Sequence, residues 1–119
     1  MIHERIEKKI FADAGDELSR LLAYWRFRSF RVVFTNGCFD VLHRGHAEYL
    51  AKAASMGDVL VVGLNTDDSV RRLKGPSRPV NTQANRAYLL ASMGFVSAVV
   101  LFDEDTPENL IQIVRPSFL

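Results

Sequence analysis

Phe34-Thr35-Asn36-Gly37-Cys38-Phe39-Asp40-Val41-Leu42-His43-Arg44-Gly45-His46 is the stretch around which the chain is organised. It opens at the end of an apolar strand, Arg31-Val32-Val33-Phe34, and passes through a glycine turn. It then presents two histidines three residues apart, His43 and His46, with Gly45 beside the second. The run that follows, Ala47 to Met56, is rich in helix formers. Within it Ala47, Leu50, Ala51 and Ala54 recur at helical spacing, so one face can lie on a sheet. The unit reads strand, turn, two histidines, helix. A helix start offers unpaired N–H groups and a positive dipole end, which favour a phosphate. Imidazoles three apart in a first turn face the same way and can grip the same phosphate.

Towards the N-terminus, Leu18, Leu21, Leu22 and Trp25 fall at i, i+3, i+4 and i+7. Asp16 and Glu17 come early and Arg26 and Arg28 late, as a helix dipole favours. This helix is expected to pack on the sheet or on a second subunit, with Trp25 and Tyr24 in core or interface rather than stacking on a base. Residues 1 to about 13 set mixed charges around Ile2, Ile6 and Ile10, which suggests a narrow helical stripe or a loosely docked arm. Residues 1–29 are thus read as an N-terminal helical segment packing on the core, and 30–119 as the main domain.

Towards the C-terminus, Gly57 ends the helix as a C′ glycine would. The unbroken apolar run from Asp58 to Asn65 suits a parallel strand covered on both faces. Thr66 or Asp67 caps a short helix, Lys74 to Pro79 form a basic loop, and Asn81 caps a helix closed by Gly94. Ser97 to Phe102 make a third strand. Thr106-Pro107-Glu108 opens a last helix, which Pro116 stops. Phe118-Leu119 read as the start of a fourth strand. Such alternation implies a right-handed, doubly wound parallel α/β sheet of Rossmann-like type with flanking helices. Ligands in such sheets bind at the carboxyl ends of the strands, near the switch point. Asn36 to His46, Asn65 to Asp67 and Phe102 to Asp105 all fall there.

Bulk properties exclude several classes. The net charge is +1 with no basic run, so nucleic acid and membrane surfaces are poor partners. No apolar stretch is long enough to span a bilayer and the N-terminus is not a signal peptide, so the expected location is the cytoplasm. A single cysteine excludes an internal disulfide framework. A zinc site needs more ligands than the histidine pair, and only Cys38 and His3 remain, so no protein-held metal is assigned. Cys38 reads as a small buried thiol rather than a nucleophile. Asp40 can hold magnesium, orient a histidine or cap the following turn. Asn65 and Asp67 can touch a sugar or merely cap a helix.

Gly37-Cys38-Phe39-Asp40 followed by His43-Arg44-Gly45-His46 resembles the signature of the nucleotidyltransferase superfamily with the H-x-G-H motif. The Thr-Asn-Gly-Cys-Phe-Asp spelling is similar to the adenylyltransferase domain of ADP-heptose synthases. The resemblance continues through Gly63 to Asp67, Leu73 to Pro79, Asn81 to Arg86 and Leu101 to Pro107. It implies transfer of AMP from ATP, with Mg2+, to a sugar 1-phosphate, D-glycero-β-D-manno-heptose 1-phosphate above all, with pyrophosphate released, in nucleotide-sugar synthesis for lipopolysaccharide core. A cytidylyltransferase acting on glycerol or ethanolamine phosphate is the sibling alternative. A nucleotide-binding or dimerisation module without turnover is the alternative from another class.

In the family reading His43, His46 and Lys74 are catalytic. Asn36, Gly37, Cys38, Phe39, Asp40, Gly45 and Arg86 bind nucleotide, and Asn65, Asp67 and Arg78 bind the acceptor. Protonated histidines would oppose developing charge, and Gly45 would admit the nucleotide where a Cβ would collide. Ala84 departs from the family, which usually carries a glutamate two residues before the arginine. The family's later Lys-Gly-Gly-Asp-Tyr-like segment and Ser/Thr-rich motif do not follow, so the domain is expected to be cut before its last strands. A homodimer is expected through Tyr24, Trp25 and Phe27 together with Met93-Gly94-Phe95-Val96.

Overall fold

The apolar run before the histidines forms β2 (Val32–Gly37), which pairs in parallel with β3 (Val59–Asn65) from Val32 opposite Val59 to Gly37 opposite Leu64. β3 pairs with β4 (Ala98–Phe102), Val61 facing Ala98. This is a computed structural model, and it describes residues 1–119. Alternate residues of these strands point to opposite faces, and both faces are covered. On one lie α3 (Arg44–Ala54) and α5 (Gln83–Ala91), where Leu50, Ala87 and Leu90 meet Val33, Leu60, Val62, Leu64 and Val99. On the other lie α2 (Asp16–Phe27) and α6 (Glu108–Val114), where Leu18, Leu22, Trp25, Leu110 and Val114 meet Val32, Phe34, Val61, Val100 and Phe102.

After α6 the chain returns beside β2, on the edge away from β3. Val33 bridges Phe118 in parallel, and the Phe34 N–H donates to the Phe118 carbonyl at 2.9 Å. The next strand thus starts where the sequence places it. It also fixes the switch point at the carboxyl end of β2, the end that carries the histidines.

The N-terminal segment is not wholly helical. It contains α1 (Ile2–Glu7) and a two-residue strand, β1 (Ile10–Phe11), which adds to β4 and gives the order β1-β4-β3-β2. A division at residue 29 therefore cuts one sheet. The segment is fastened by polar contacts: Val99 donates to the Lys9 carbonyl at 2.8 Å, and the Lys9 ammonium donates to the carbonyls of Ala91 and Met93 at 3.1 and 3.3 Å. Two strand residues show no alternation to read.

Other local readings shift by a residue or a role. Gly57 does not close α3 in a left-handed turn. It sits where the chain crosses the start of β2, and a Cβ there would lie 2.8 Å from the Arg31 carbonyl oxygen and 2.7 Å from Val33. α5 is capped by Thr82, whose hydroxyl accepts from the Asn85 N–H at 3.2 Å, and not by Asn81. The surface expected to support a dimer is not continuous. Trp25 and Val96 are buried, and they belong to cores on opposite faces of the sheet.

Candidate active site

β2 ends at Gly37, and the chain turns through Phe39 in the left-handed region, φ 46°. The Phe39 ring folds back under this turn, where a Cβ on Gly37 would lie 3.0 Å from it. The same ring meets His46 edge-on, with centroids 5.5 Å apart. α3 then starts at Arg44, so His43 is its N-cap and His46 lies one turn in. The two rings cap the helix reciprocally. His43 Nδ1 accepts from the Gly45 N–H at 3.0 Å, and His46 Nδ1 accepts from the His43 N–H at 3.3 Å. Gly45 is needed for this arrangement, since a Cβ there would lie 2.8 Å from the His43 ring. The close approach that requires a glycine here is that of the His43 imidazole.

This capping decides the chemistry of the pair. A backbone N–H can only donate, so each Nδ1 is a lone-pair acceptor and the mobile proton of each ring sits on Nε2. The ring centroids are 4.1 Å apart, so two Nε2–H donors stand side by side. Burial first, then the charges of His43 and Lys74, hold His46 below the ordinary imidazole range. The expected protonated form gives way to a neutral donor at His46. Three N–H groups of the first turn are already engaged: Gly45 donates to the His43 ring, and His46 and Ala47 donate to the His43 carbonyl.

Asp40 is buried and holds a loop. Its carboxylate accepts from the N–H groups of Val80 at 2.8 Å and Asn81 at 3.0 Å, and pairs with Arg78 at 3.2 Å. Its carbonyl accepts from the Asn81 amide at 2.6 Å. Its carboxylate partners are the Val80 and Asn81 N–H groups and Arg78, not a histidine. Burial alone would raise its pKa, but the Asn81 and Val80 N–H groups and the Arg78 charge outweigh that and lower it. A lowered carboxylate contributes stability above its ordinary range and loses it as pH falls through the folded value. His46, also lowered, costs stability as pH falls through the imidazole range. Denaturant unfolding should therefore show two acid-side losses. Asp40→Asn should remove the lower one and reduce stability at neutral pH by about 1–3 kcal/mol; an unchanged lower limb would refute the assignment.

Arg86, expected to bind nucleotide, is turned inward and engaged within the protein. It is fully buried, and its guanidinium braces the ends of β2 and β3 and the loop before α5. Nε donates to Asn81 O at 3.0 Å, Nη1 to Cys38 O at 2.7 Å and Asn65 O at 2.8 Å, and Nη2 to Asp67 Oδ1 at 2.7 Å. Asp67 is thereby committed to Arg86, while its N–H donates to Gln83 at 2.9 Å. Asn65 is buried and donates to Ser69 Oγ at 2.9 Å. The side chains of both are engaged within the protein, and the cap of α4 (Asp67–Lys74) is Thr66. The expected ligand set therefore divides. Asn36, His43 and Lys74 are exposed, and Gly37, Cys38 and His46 half-buried, around the histidine turn. Arg78 stands at its rim on Asp40. Asn65, Asp67 and Arg86 lie beneath it. Phe39 as a ring support was not legible, because only the turn's backbone turns it inward.

No three His, Cys, Asp or Glu side chains gather where they could hold a metal ion. With Asp40 committed to backbone donors, the residues present do not fit a protein-held magnesium. A cleft of about 240 Å³ opens at the end of β4, lined in part by Asp13, Thr66, Phe102, Asp103 and Glu104. It is acidic and two strands from the histidines, so it does not suit a phosphate. No helix is long and apolar enough to cross a membrane.

The family model described as cytidylyltransferase-like matches residues 34–119. The bifunctional protein HldE of Campylobacter curvus is 65% identical over 89 residues, which cover 75% of this chain and 19% of that protein. HldE of Wolinella succinogenes is 52% identical over 104 residues, 87% of this chain and 22% of that protein. The chain thus spans about a fifth of the length of these curated relatives. The crystal structure of the lipopolysaccharide core biosynthesis protein from Thermoplasma volcanium GSS1 matches with a TM-score of 0.66 and 28% identity, over 73% of this chain and 70% of that one.

Proposed function

Since the chain belongs to the cytidylyltransferase-like family, we propose that it is the nucleotidyl-transfer part of a heptose-activating enzyme, moving AMP from ATP to D-glycero-β-D-manno-heptose 1-phosphate in the cytoplasm. The observation that carries this reading is the histidine pair, with both Nδ1 atoms tied to backbone N–H groups and both Nε2–H groups left to donate. In the reaction an anionic oxygen of the sugar phosphate forms a bond to the α-phosphorus of ATP, and the bond from that phosphorus to the bridging oxygen breaks. Pyrophosphate leaves with the electron pair. The nucleophile is already an anion, so no base is required. What the transition state requires is donors aimed at its phosphate oxygens and a nearby cation. His43 and His46 supply the donors, and Lys74, whose charge is felt at His46, supplies the cation. Magnesium would arrive on the triphosphate and neutralise its charge; no step is assigned to it.

The acceptor and the base both rest on the likeness of the Thr35-to-Asp40 spelling to the adenylyltransferase domain of ADP-heptose synthases. Pyrophosphate release tests both, using ATP and CTP each with heptose 1-phosphate, glycerol phosphate and ethanolamine phosphate. Turnover is expected for ATP with heptose 1-phosphate. Turnover only with CTP and an alcohol phosphate would move the chain to the sibling activity. Nucleotide binding without pyrophosphate release in every combination would make it a binding module.

A further inference from the structure

α4 is short and weakly packed: of its eight residues only Ser69 and Val70 are buried. Apolar contact alone does not fix such a helix. Polar contacts along one side do. Thr66, at its N-cap, donates to Asp103 Oδ1 at 2.5 Å, and Ser69 Oγ donates to the Glu104 carbonyl at 3.4 Å. Arg72 donates from Nε to Asp105 at 3.0 Å and from Nη2 to the Asp103 carbonyl. Residues 66, 69 and 72 are spaced three apart, so they share one face and grip three successive residues of the loop after β4. The last residue of the helix is Lys74. From there the chain enters the loop that Asp40 holds beside the histidine turn.

We infer that Arg72, through its hold on Asp103 and Asp105, is a positioning residue that sets where Lys74 stands relative to His46. Lys74 is exposed and is one of the charges that lower the His46 pKa, so that imidazole reports its position. An exposed ion pair of this kind contributes little to folding. Its leverage comes from orienting a short helix whose far end carries a cation for the phosphates. Displacement of such a group by about an ångström can cost up to about a hundredfold in rate. The consequence for turnover rests on the nucleotidyl-transfer reading; the geometric claim does not.

The test follows the His46 imidazole by NMR titration in the whole chain, for Arg72→Gln, Lys74→Ala and the double variant. Arg72→Gln should raise the His46 midpoint in the same direction as Lys74→Ala and add nothing once Lys74 is gone. Its thermal midpoint should stay within about 5 °C of the parent. Pyrophosphate release should fall by about tenfold, and pairing Arg72→Asp with Asp105→Arg should restore it. A His46 midpoint unmoved by Arg72→Gln, or moved equally with and without Lys74, overturns the inference. So does a Lys74→Ala variant that leaves His46 unchanged. If no substrate pair is turned over, the transfer reading fails while the titration still decides the positioning role.

Discussion

Arg86→Ala is expected to cost about 3–5 kcal/mol, the scale at which one partner is removed from a buried charge network. The substitution deletes every bond of a fully buried guanidinium. It leaves the carbonyls of Cys38, Asn65 and Asn81 and the Asp67 carboxylate without their donor. Asp67 is partly exposed and can regain water. The Asn65 carbonyl is buried and cannot. A domain of this size has about 5–15 kcal/mol in all, so about a fifth or more is lost and the melting midpoint falls by about 15 °C or more. Arg86→Lys should recover only part of this, because an ammonium cannot reach carbonyls on three segments at once. Thermal and urea denaturation measure both variants. An Arg86→Ala protein as stable as the parent, with lowered nucleotide affinity, would return Arg86 to the role of a ligand.

His46→Ala is expected to lower the rate of pyrophosphate release by about a hundredfold or more, the cost of one preorganised donor to a transition state. The fold should survive, since His46 is half-buried and its loss removes a long 3.3 Å cap on the His43 N–H and ring contacts with Phe39 and His43. His43→Ala should lose a comparable factor and also the side-chain cap on the Gly45 N–H. Cys38→Ala should keep most activity, because the bond Cys38 contributes comes from its carbonyl. Initial rates at saturating substrate, with circular dichroism as the control for folding, separate these cases. Loss of transfer in Cys38→Ala together with full activity in His46→Ala would refute the mechanism.

The parts of the molecule legible from sequence are those where residue type and spacing carry direction. β2, β3 and β4 are unbroken apolar runs, and the α2 stripe of Leu18, Leu22 and Trp25 sits in the core as its spacing requires. The histidine turn was legible because two glycines and two imidazoles at fixed offsets admit few geometries. Charge carries no such direction. Arg86 near the start of α5 reads the same whether it faces a phosphate or three carbonyls, and Asp40 reads the same whether its partner is a metal or a backbone N–H. Which face each turns to is settled by the loop packed against it, here residues 78–81, whose partner lies forty residues away in sequence. The tautomer of the histidines is hidden for the same reason: it depends on two backbone N–H directions. β1 escaped because a two-residue strand carries no period.

The manner in which the N-terminal arm is attached has a further effect on how the molecule breathes. α1 buries no side chain, and β1 contributes two residues at the sheet edge farthest from β2. An element so held opens by itself at a small fraction of the global free energy, and its amides trade hydrogen for deuterium through that opening. The amides of Val61 and Val62 in β3, between β2 and β4, are expected to exchange only when the whole domain unfolds. Two strands separate the arm from the histidine turn, so the arm can detach and redock many times while that turn stays formed.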